Sequence, residues 1–198
     1  MASAICGMRC LARLPNKAES DRISLQLSRM DVQKTIYHGK EIHRYFRCSR
    51  GRLYMTMENE DRFLSLTHLI VEHGKTVRKY RRVTSYFDGL FEENHVLHVM
   101  SGALGMFAEL RLSRTTVFVN PDVLVSFYTV ECLDNEVFVE VNVSFEDPEK
   151  TEEETKATVE KYLNMLKISP KWAVRDDFVA QLYRNRGSLK DTDETLPQ

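Results

Sequence analysis

The sequence has no long hydrophobic run, no excess of charge of either sign and no cysteine motif. No apolar segment approaches the roughly 18 residues that a membrane-spanning helix needs, so we expect no membrane association. The 28 basic and 29 acidic side chains give a net charge of -1, which argues against bulk electrostatic binding to nucleic acid. The four cysteines form no CxxC pair and have no zinc-ligand spacing, which is typical of a reduced intracellular protein with free thiols.

The amino-terminal segment also lacks acidic residues. None precedes Glu19, whereas Arg9, Arg13 and Lys17 are basic. This composition also fits a mitochondrial presequence, but the interpretation that we favour is that Ala4 to Leu14 is the first strand of the fold. We therefore expect a cytoplasmic protein, with a mitochondrial location as the alternative.

The length and composition predict one domain. A chain of 198 residues is long enough for one sizeable domain and too short for two domains of that size. Its 42% hydrophobic and 29% charged residues are ordinary for a globular protein. No internal repeat of solenoid type is present. We assign residues 1–186 to a single domain and residues 187–198 to a disordered tail, on the composition of that tail.

Alternation of side chains predicts a sheet with one apolar and one polar face. Between Val137 and Ser144, four valines alternate with a second set that includes Glu140 and Asn142. Neighbouring side chains of a strand point to opposite faces, so a helix would cover the valines and the other set would face a polar interior. A sheet with a packed outside and a wet inside is what a ligand-holding barrel requires.

The rest of the pattern adds further strands and helices. The segment Glu19–Arg29 is compatible with either a helix or a strand, and Thr151 begins a Thr-x-x-Glu capping box. The chain is thus predicted to form an α+β fold, an antiparallel β-barrel of about eight strands covered by helices. The predicted strands include Ala4–Leu14, Glu41–Phe46, Arg52–Met57, Phe63–Glu72 and Val77–Val83, with further strands across Leu110–Asp147, and the predicted helices are Asp88–Ala103, Thr151–Leu166 and Asp177–Arg184.

Several segments resemble the CYTH superfamily, the triphosphate-tunnel proteins that include thiamine triphosphatases and class IV adenylate cyclases. HRYFRCSRGRLYM is similar to that family's tyrosine-phenylalanine pair followed by Gly-Arg-Leu, and VLHVMSGALGMFAELRLSRTTVFV resembles its helix, Leu-Gly break and arginine-bearing strand. VECLDNEVFVEVNV resembles the hairpin that runs into its final acidic strand. The signature positions retained here are Tyr45, Phe46, Gly51, Arg52, Leu53, Arg114 and Glu140.

The first strand departs from the metal site that the resemblance implies. The family binds metal ions through an alternating Glu-x-Glu-x-Lys, because two inward carboxylates neutralise a cation that bridges the phosphates. By order along the chain, the corresponding segment is Gly7 to Leu11, which has no carboxylate. The last strand offers Glu140 with Asn142 where two glutamates would be expected. Glu140 alone is a weak metal ligand, so we expect no cofactor, with magnesium needed only if the protein is active.

Arginines on the predicted strands are the candidate ligands for a phosphate-rich small molecule. Guanidinium groups match phosphate oxygens by their forked geometry, and roughly half of the positions in a barrel point inward. The candidates are Arg9, Arg52, Arg81 and Arg114, and a surviving polyphosphate site would place Arg52 and Arg114 in the same cavity. The alternative is that these arginines lie on solvated faces or pair with nearby glutamates.

The sequence therefore favours a divergent CYTH-like barrel that has lost catalysis and acts as a binding or structural subunit. One alternative is a metal-dependent triphosphate phosphohydrolase with a rearranged metal site, in which Glu140 would be the catalytic residue. Another is a component of a larger mitochondrial or cytoskeletal protein complex. Nucleic-acid binding by the VRKYRR cluster is weakly supported, because aromatic interleaving there is limited to Tyr80.

Overall fold

In the part of the chain that the structure describes, eight strands form a closed antiparallel barrel and four α-helices accompany it, which confirms the predicted fold class. The computed structural model describes residues 2–30, 35–49, 51–58, 61–70, 76–87, 89–134, 136–145, 151–174 and 177–185. Around the barrel the strands follow the order β1-β5-β4-β3-β2-β6-β7-β8. The strands are β1 (Ala2–Arg13), β2 (Thr35–Phe46), β3 (Arg52–Glu58), β4 (Asp61–Ile70), β5 (Arg78–Tyr86), β6 (Met106–Asn120), β7 (Val123–Val130) and β8 (Val137–Phe145), and the helices are α1 (Lys17–Arg29), α2 (Gly89–Leu104), α3 (Glu152–Met165) and α4 (Phe178–Asn185).

The amino-terminal segment is a strand that closes the barrel. β1 pairs with β5 on one edge and with β8 on the other, so that Cys6 lies opposite both Arg81 and Phe145. A strand paired on both edges belongs to the folded domain, which confirms the first-strand interpretation of Ala4 to Leu14. Among the described residues, no helix is long and apolar enough to span a membrane. The predicted tail, residues 187–198, lies outside the described residues.

The valine face of β8 is covered by helices, as the alternation predicts. Val139 and Val141 are 1% and 0% exposed, and they belong to a core cluster that includes Val159 and Leu163 of α3 and Ile23 of α1. The opposite face of β8 turns its polar groups into the barrel. This strand therefore separates an apolar layer under the helices from a polar interior.

Local sequence signals set three helix ends. In the predicted capping box of α3, the Thr151 hydroxyl accepts from the Glu154 backbone N–H at 3.2 Å, and the Glu154 carboxylate accepts from the Thr151 backbone N–H at 2.9 Å. The Asn16 side chain accepts from the Glu19 backbone N–H at 3.0 Å and begins α1, which favours a helix over a strand there. Gly105 ends α2 with a φ of 76°, a left-handed conformation that favours glycine.

A second apolar cluster fills one end of the barrel beneath α4. The Phe178 ring meets the rings of Tyr128 and Phe138 edge-on, with centroids 5.0 and 5.2 Å apart. The segment before α4 is fixed to β1 because the Val174 backbone N–H donates to the Leu11 carbonyl at 2.9 Å. Helix α4 thereby places its first residues beside the interior of the barrel.

All four cysteines are free thiols. Cys10 is 2% exposed in the apolar layer, and burial raises the pKa of its thiol to about 12. The thiol of Cys10 is therefore protonated at neutral pH and is a poor nucleophile.

Candidate functional site

Inward side chains of the strands, with the first residues of α4, enclose a cavity of about 100 Å³. Arg52, Tyr54 and Thr56 line it from β3, and Glu140 and Asn142 line it from β8, as the alternation in each strand predicts. The interior combines charged groups with tyrosine rings. The charged and histidine residues of the lining are Arg9, Glu41, His43, Arg52, Arg82, Arg114, Glu140 and Asp177.

Three of the four candidate arginines line the same cavity. Arg9, Arg52 and Arg114 reach it from β1, β3 and β6, so Arg52 and Arg114 share the interior as expected. Arg81 lies instead on the outer face of β5 and is exposed, while Arg82 takes the inward position. The prediction that Arg81 faces the cavity is therefore wrong. The segment VRKYRR has basic residues on both faces of the strand, so its alternation does not show which residues point inward.

Two of the interior arginines are bound to carboxylates. Arg9 donates to Glu140 at 2.9 Å and lies 5.7 Å from the centroid of the Tyr80 ring. Burial would lower the pKa of Arg9, but the Glu140 carboxylate and the weaker contributions of Tyr54, Tyr128 and Asp177 together hold the pKa above the ordinary arginine value. Arg52 donates to Asp177 at 2.8 Å. Both guanidinium groups already have the kind of partner that a phosphate would supply.

Arg114 is shared between two carboxylates. It donates to Glu58 at 2.7 Å, and its Nε lies 2.8 Å from Glu41 Oε1 without directing its N–H at that oxygen. Glu41 is 3% exposed, and its other oxygen is 2.7 Å from His43 Nε2. Burial would raise the pKa of the Glu41 carboxyl, but the hydrogen bond from His43, together with the charge of Arg114, holds it below its usual value.

Tyrosines surround these ion pairs. The Tyr80 hydroxyl donates to Asn142 Oδ1 at 2.9 Å, and the rings of Tyr45 and Tyr54 stack at a centroid distance of 5.3 Å. Burial raises the pKa of Tyr45, Tyr80 and Tyr128. These hydroxyls are therefore neutral near pH 7, and the cavity offers them as hydrogen-bonding groups without adding charge.

No family model and no curated protein sequence matches this chain. Solved structures do match it. The PH1012 protein of Pyrococcus horikoshii OT3 superposes with a TM-score of 0.68 at 10% identity, over 88% of this chain and 98% of its own. A putative adenylyl cyclase from Hippeastrum, described as having a dominant triphosphatase activity, gives 0.61 at 14% identity, over 93% and 98%. The triphosphatase of the Mimivirus capping enzyme gives 0.55 at 6% identity, over 83% and 89%.

These three likenesses, each with a TM-score above 0.5, extend over most of both chains in every comparison. The chain shares their fold, and its closed antiparallel barrel is the fold that the resemblance to the CYTH superfamily implies. Identities of this size establish the fold and leave the activity to be argued from the tunnel itself.

The interior of this barrel does not fit the metal site that the resemblance implies. A Cβ atom at Gly7 would lie 2.6 Å from the Tyr80 hydroxyl and 2.7 Å from the Val143 carbonyl oxygen, so no carboxylate side chain fits there without a backbone shift. The next inward residue of β1 is Arg9, which occupies Glu140. Among the described residues, no group of three or more His, Cys, Asp or Glu side chains is placed to hold a metal ion.

Four charged or histidine residues of the lining were not predicted from the sequence, in which Glu140 was the candidate carboxylate. Glu41, His43 and Tyr45 are spaced two residues apart on β2 and share its inner face. The same period of two identified the inner face of β3, so the sequence contained the signal for Glu41 and His43. Asp177 lies immediately before α4 and reaches the cavity by helix packing, which no strand pattern reveals. Arg82 was not predicted because the adjacent residue, Arg81, is also basic and was taken as the inward one. The cavity thus contains more carboxylates than the sequence pattern indicates.

Proposed function

We propose that this protein is a CYTH-fold barrel without catalytic activity, which acts as a binding or structural subunit and keeps an anion-binding tunnel. The observation that carries the proposal is the Arg9–Glu140 contact of 2.9 Å. Glu140 is the retained carboxylate of the family's final strand, and a guanidinium group satisfies it where a metal ion would otherwise have to bind. Gly7 supports the proposal, because its surroundings exclude a replacement carboxylate.

The ion pairs also weaken the case for triphosphate chemistry. In-line phosphoryl transfer depends on positive charge that stabilises the transferring group, supplied by cations held ready for the phosphate oxygens. Here Arg9, Arg52 and Arg114 are each 2.7–2.9 Å from a carboxylate oxygen. A triphosphate would have to displace these carboxylates, so much of its interaction energy would be offset by breaking existing pairs.

The alternative is a metal-dependent triphosphatase with magnesium as its cofactor. The Hippeastrum and Mimivirus neighbours favour it, since both are described as triphosphatases, and so does the presence of four arginines in one cavity. It requires Glu140 to leave Arg9 and to gain further oxygen ligands from groups such as Glu41 or Asn142. Participation in a protein complex, and a cytoplasmic rather than mitochondrial location, stay predictions from the sequence.

A phosphate-release assay tests the proposal. The protein is incubated with magnesium or manganese and with ATP, thiamine triphosphate or tripolyphosphate, and inorganic phosphate is measured over time. We expect release no faster than in buffer, because the cavity carboxylates Glu41, Glu140 and Asp177 are each paired with an arginine and are not free to hold a metal–triphosphate complex. Glu140→Gln is the matched variant. Metal-dependent turnover that disappears in Glu140→Gln would contradict the proposal and show that the protein is a triphosphatase.

A further inference from the structure

Arg82 differs from the other arginines of the cavity. It points inward from β5 and lies in register with Thr67 of β4, which in turn faces Arg52 of β3. In the described part of the chain it has no carboxylate within ion-pair distance. Its Nε atom is buried and makes no hydrogen bond, and the groups beside the guanidinium include the hydroxyl of Tyr54, which is placed to hydrogen-bond with it, and that of Tyr80. Arg82 is thus the cavity arginine whose charge no side-chain carboxylate contacts directly.

A second polar group in the same cavity also has no partner. Thr56 is 1% exposed, lines the cavity from β3, and its hydroxyl makes no hydrogen bond among the described residues. A buried hydroxyl without a partner costs free energy, and native proteins satisfy most such groups with protein, water or ligand. A guanidinium that contacts no carboxylate and has an unsatisfied Nε–H, and an unpaired hydroxyl in the same cavity, are the groups that an oxyanion would satisfy.

The surroundings of Arg82 limit how much negative charge such a ligand can carry. Glu41 and Glu140 are both buried and both interact electrostatically with Arg82. A polyphosphate chain needs several free cations, but Arg9, Arg52 and Arg114 are committed to carboxylates. Two fixed carboxylates close to a single guanidinium that no carboxylate contacts disfavour a highly charged chain and tolerate an anion of one or two charges.

We propose that the tunnel binds a compact oxyanion, a single phosphate or carboxylate group, anchored on Arg82 with the Thr56 hydroxyl as a second donor. The proposal rests on the proposed function, since an active triphosphatase would have to accept a triphosphate. The cavity of about 100 Å³ has room for several water molecules and thus for one such group. The rings of Tyr54, Phe63 and Tyr80 line the same space and provide apolar contact for a small organic portion.

Isothermal titration calorimetry without metal tests this inference. The probes are inorganic phosphate, benzoate and tripolyphosphate, which separate the phosphate source from the carboxylate source and a single group from a chain. We expect phosphate or benzoate to bind one per chain, and tripolyphosphate to bind no more tightly. In Arg82→Gln the affinity should fall by about tenfold or more, as expected for loss of a charge-assisted hydrogen bond.

Arg81→Gln is the matched control, because it removes the same charge from the adjacent residue on the outer face of β5. It should leave the affinity unchanged, and thermal melting of both variants establishes that they fold. The inference is overturned if none of the three probes binds, if Arg82→Gln binds like the parent, or if tripolyphosphate binds about tenfold tighter than phosphate. None of these outcomes alters the phosphate-release result, so failure of the inference and failure of the proposed function are distinguishable.

Discussion

Replacing Arg9 by Met is expected to lower the free energy of unfolding by about 3–4 kcal/mol, measured by urea denaturation at neutral pH. The change leaves the Glu140 carboxylate, whose side chain is 8% exposed, without its cation in the interior of the barrel. Removing one member of a buried pair typically costs about 3–5 kcal/mol. We place the effect in the lower part of that range because 23% of the Arg9 side chain is exposed.

The partner substitution separates a buried ion pair from simple loss of packing. Glu140→Gln in the Arg9→Met background should recover most of the lost stability, because a neutral amide is far less costly to bury than an unpaired carboxylate. The control is Arg13→Met on the same strand, whose contact with Glu136 is 3.3 Å long with side chains 47% and 32% exposed. It should cost less than about 1 kcal/mol. Equal losses in Arg9→Met and Arg13→Met would contradict the special role of Arg9.

The second large effect concerns the apolar layer between β8 and the helices. Val141→Asp should lower the free energy of unfolding by about 3–5 kcal/mol, because Val141 is 0% exposed and lies between Cys10 and Val125 on the neighbouring strands. For a chain of this size, that loss corresponds to a fall in Tm of roughly 10 °C. Differential scanning calorimetry measures it directly.

Val83→Asp is the control for the apolar layer. Val83 is also an outward valine of the barrel, on β5, but it is 37% exposed, so the new carboxylate remains hydrated. The cost there should stay near or below about 1 kcal/mol, mainly through the low strand propensity of Asp. A Val141→Asp protein that melts within a degree or two of its parent would show that the valine face does not carry the core.

The barrel was predictable because its strands alternate cleanly. In β8 the valines separate from Glu140 and Asn142, and in β3 Arg52, Tyr54 and Thr56 separate from apolar neighbours, so the period of two indicates which side faces the interior. The capping box at Thr151 is a local signal and needs no tertiary information. For these elements the preference of the local sequence and the demands of the fold agree.

The charge pairing in the tunnel was not predictable from the sequence. The contact between Arg9 and Glu140 joins residues 131 positions apart and depends on the closure of the barrel between β1 and β8. The inward choice of Arg82 over Arg81 depends on register, which a run of basic residues leaves open. The role of Gly7 appears only when the Tyr80 ring is placed above it. These three features depend on which strands are neighbours in the closed barrel. The sequence therefore showed that carboxylates are missing from the first strand, but it did not show that Arg9 pairs with Glu140.

Manganese binding tests most directly whether the Arg9 guanidinium has taken the place of a metal ion in the barrel. Electron paramagnetic resonance reports free Mn²⁺ as the protein is titrated into a fixed amount of the ion. We expect the signal of free Mn²⁺ to be the same with the parent protein, with Glu140→Gln and with buffer, because Glu140 is paired with Arg9 and no carboxylate fits at Gly7. Loss of the free signal at one ion per chain in the parent, restored by Glu140→Gln, would contradict this expectation.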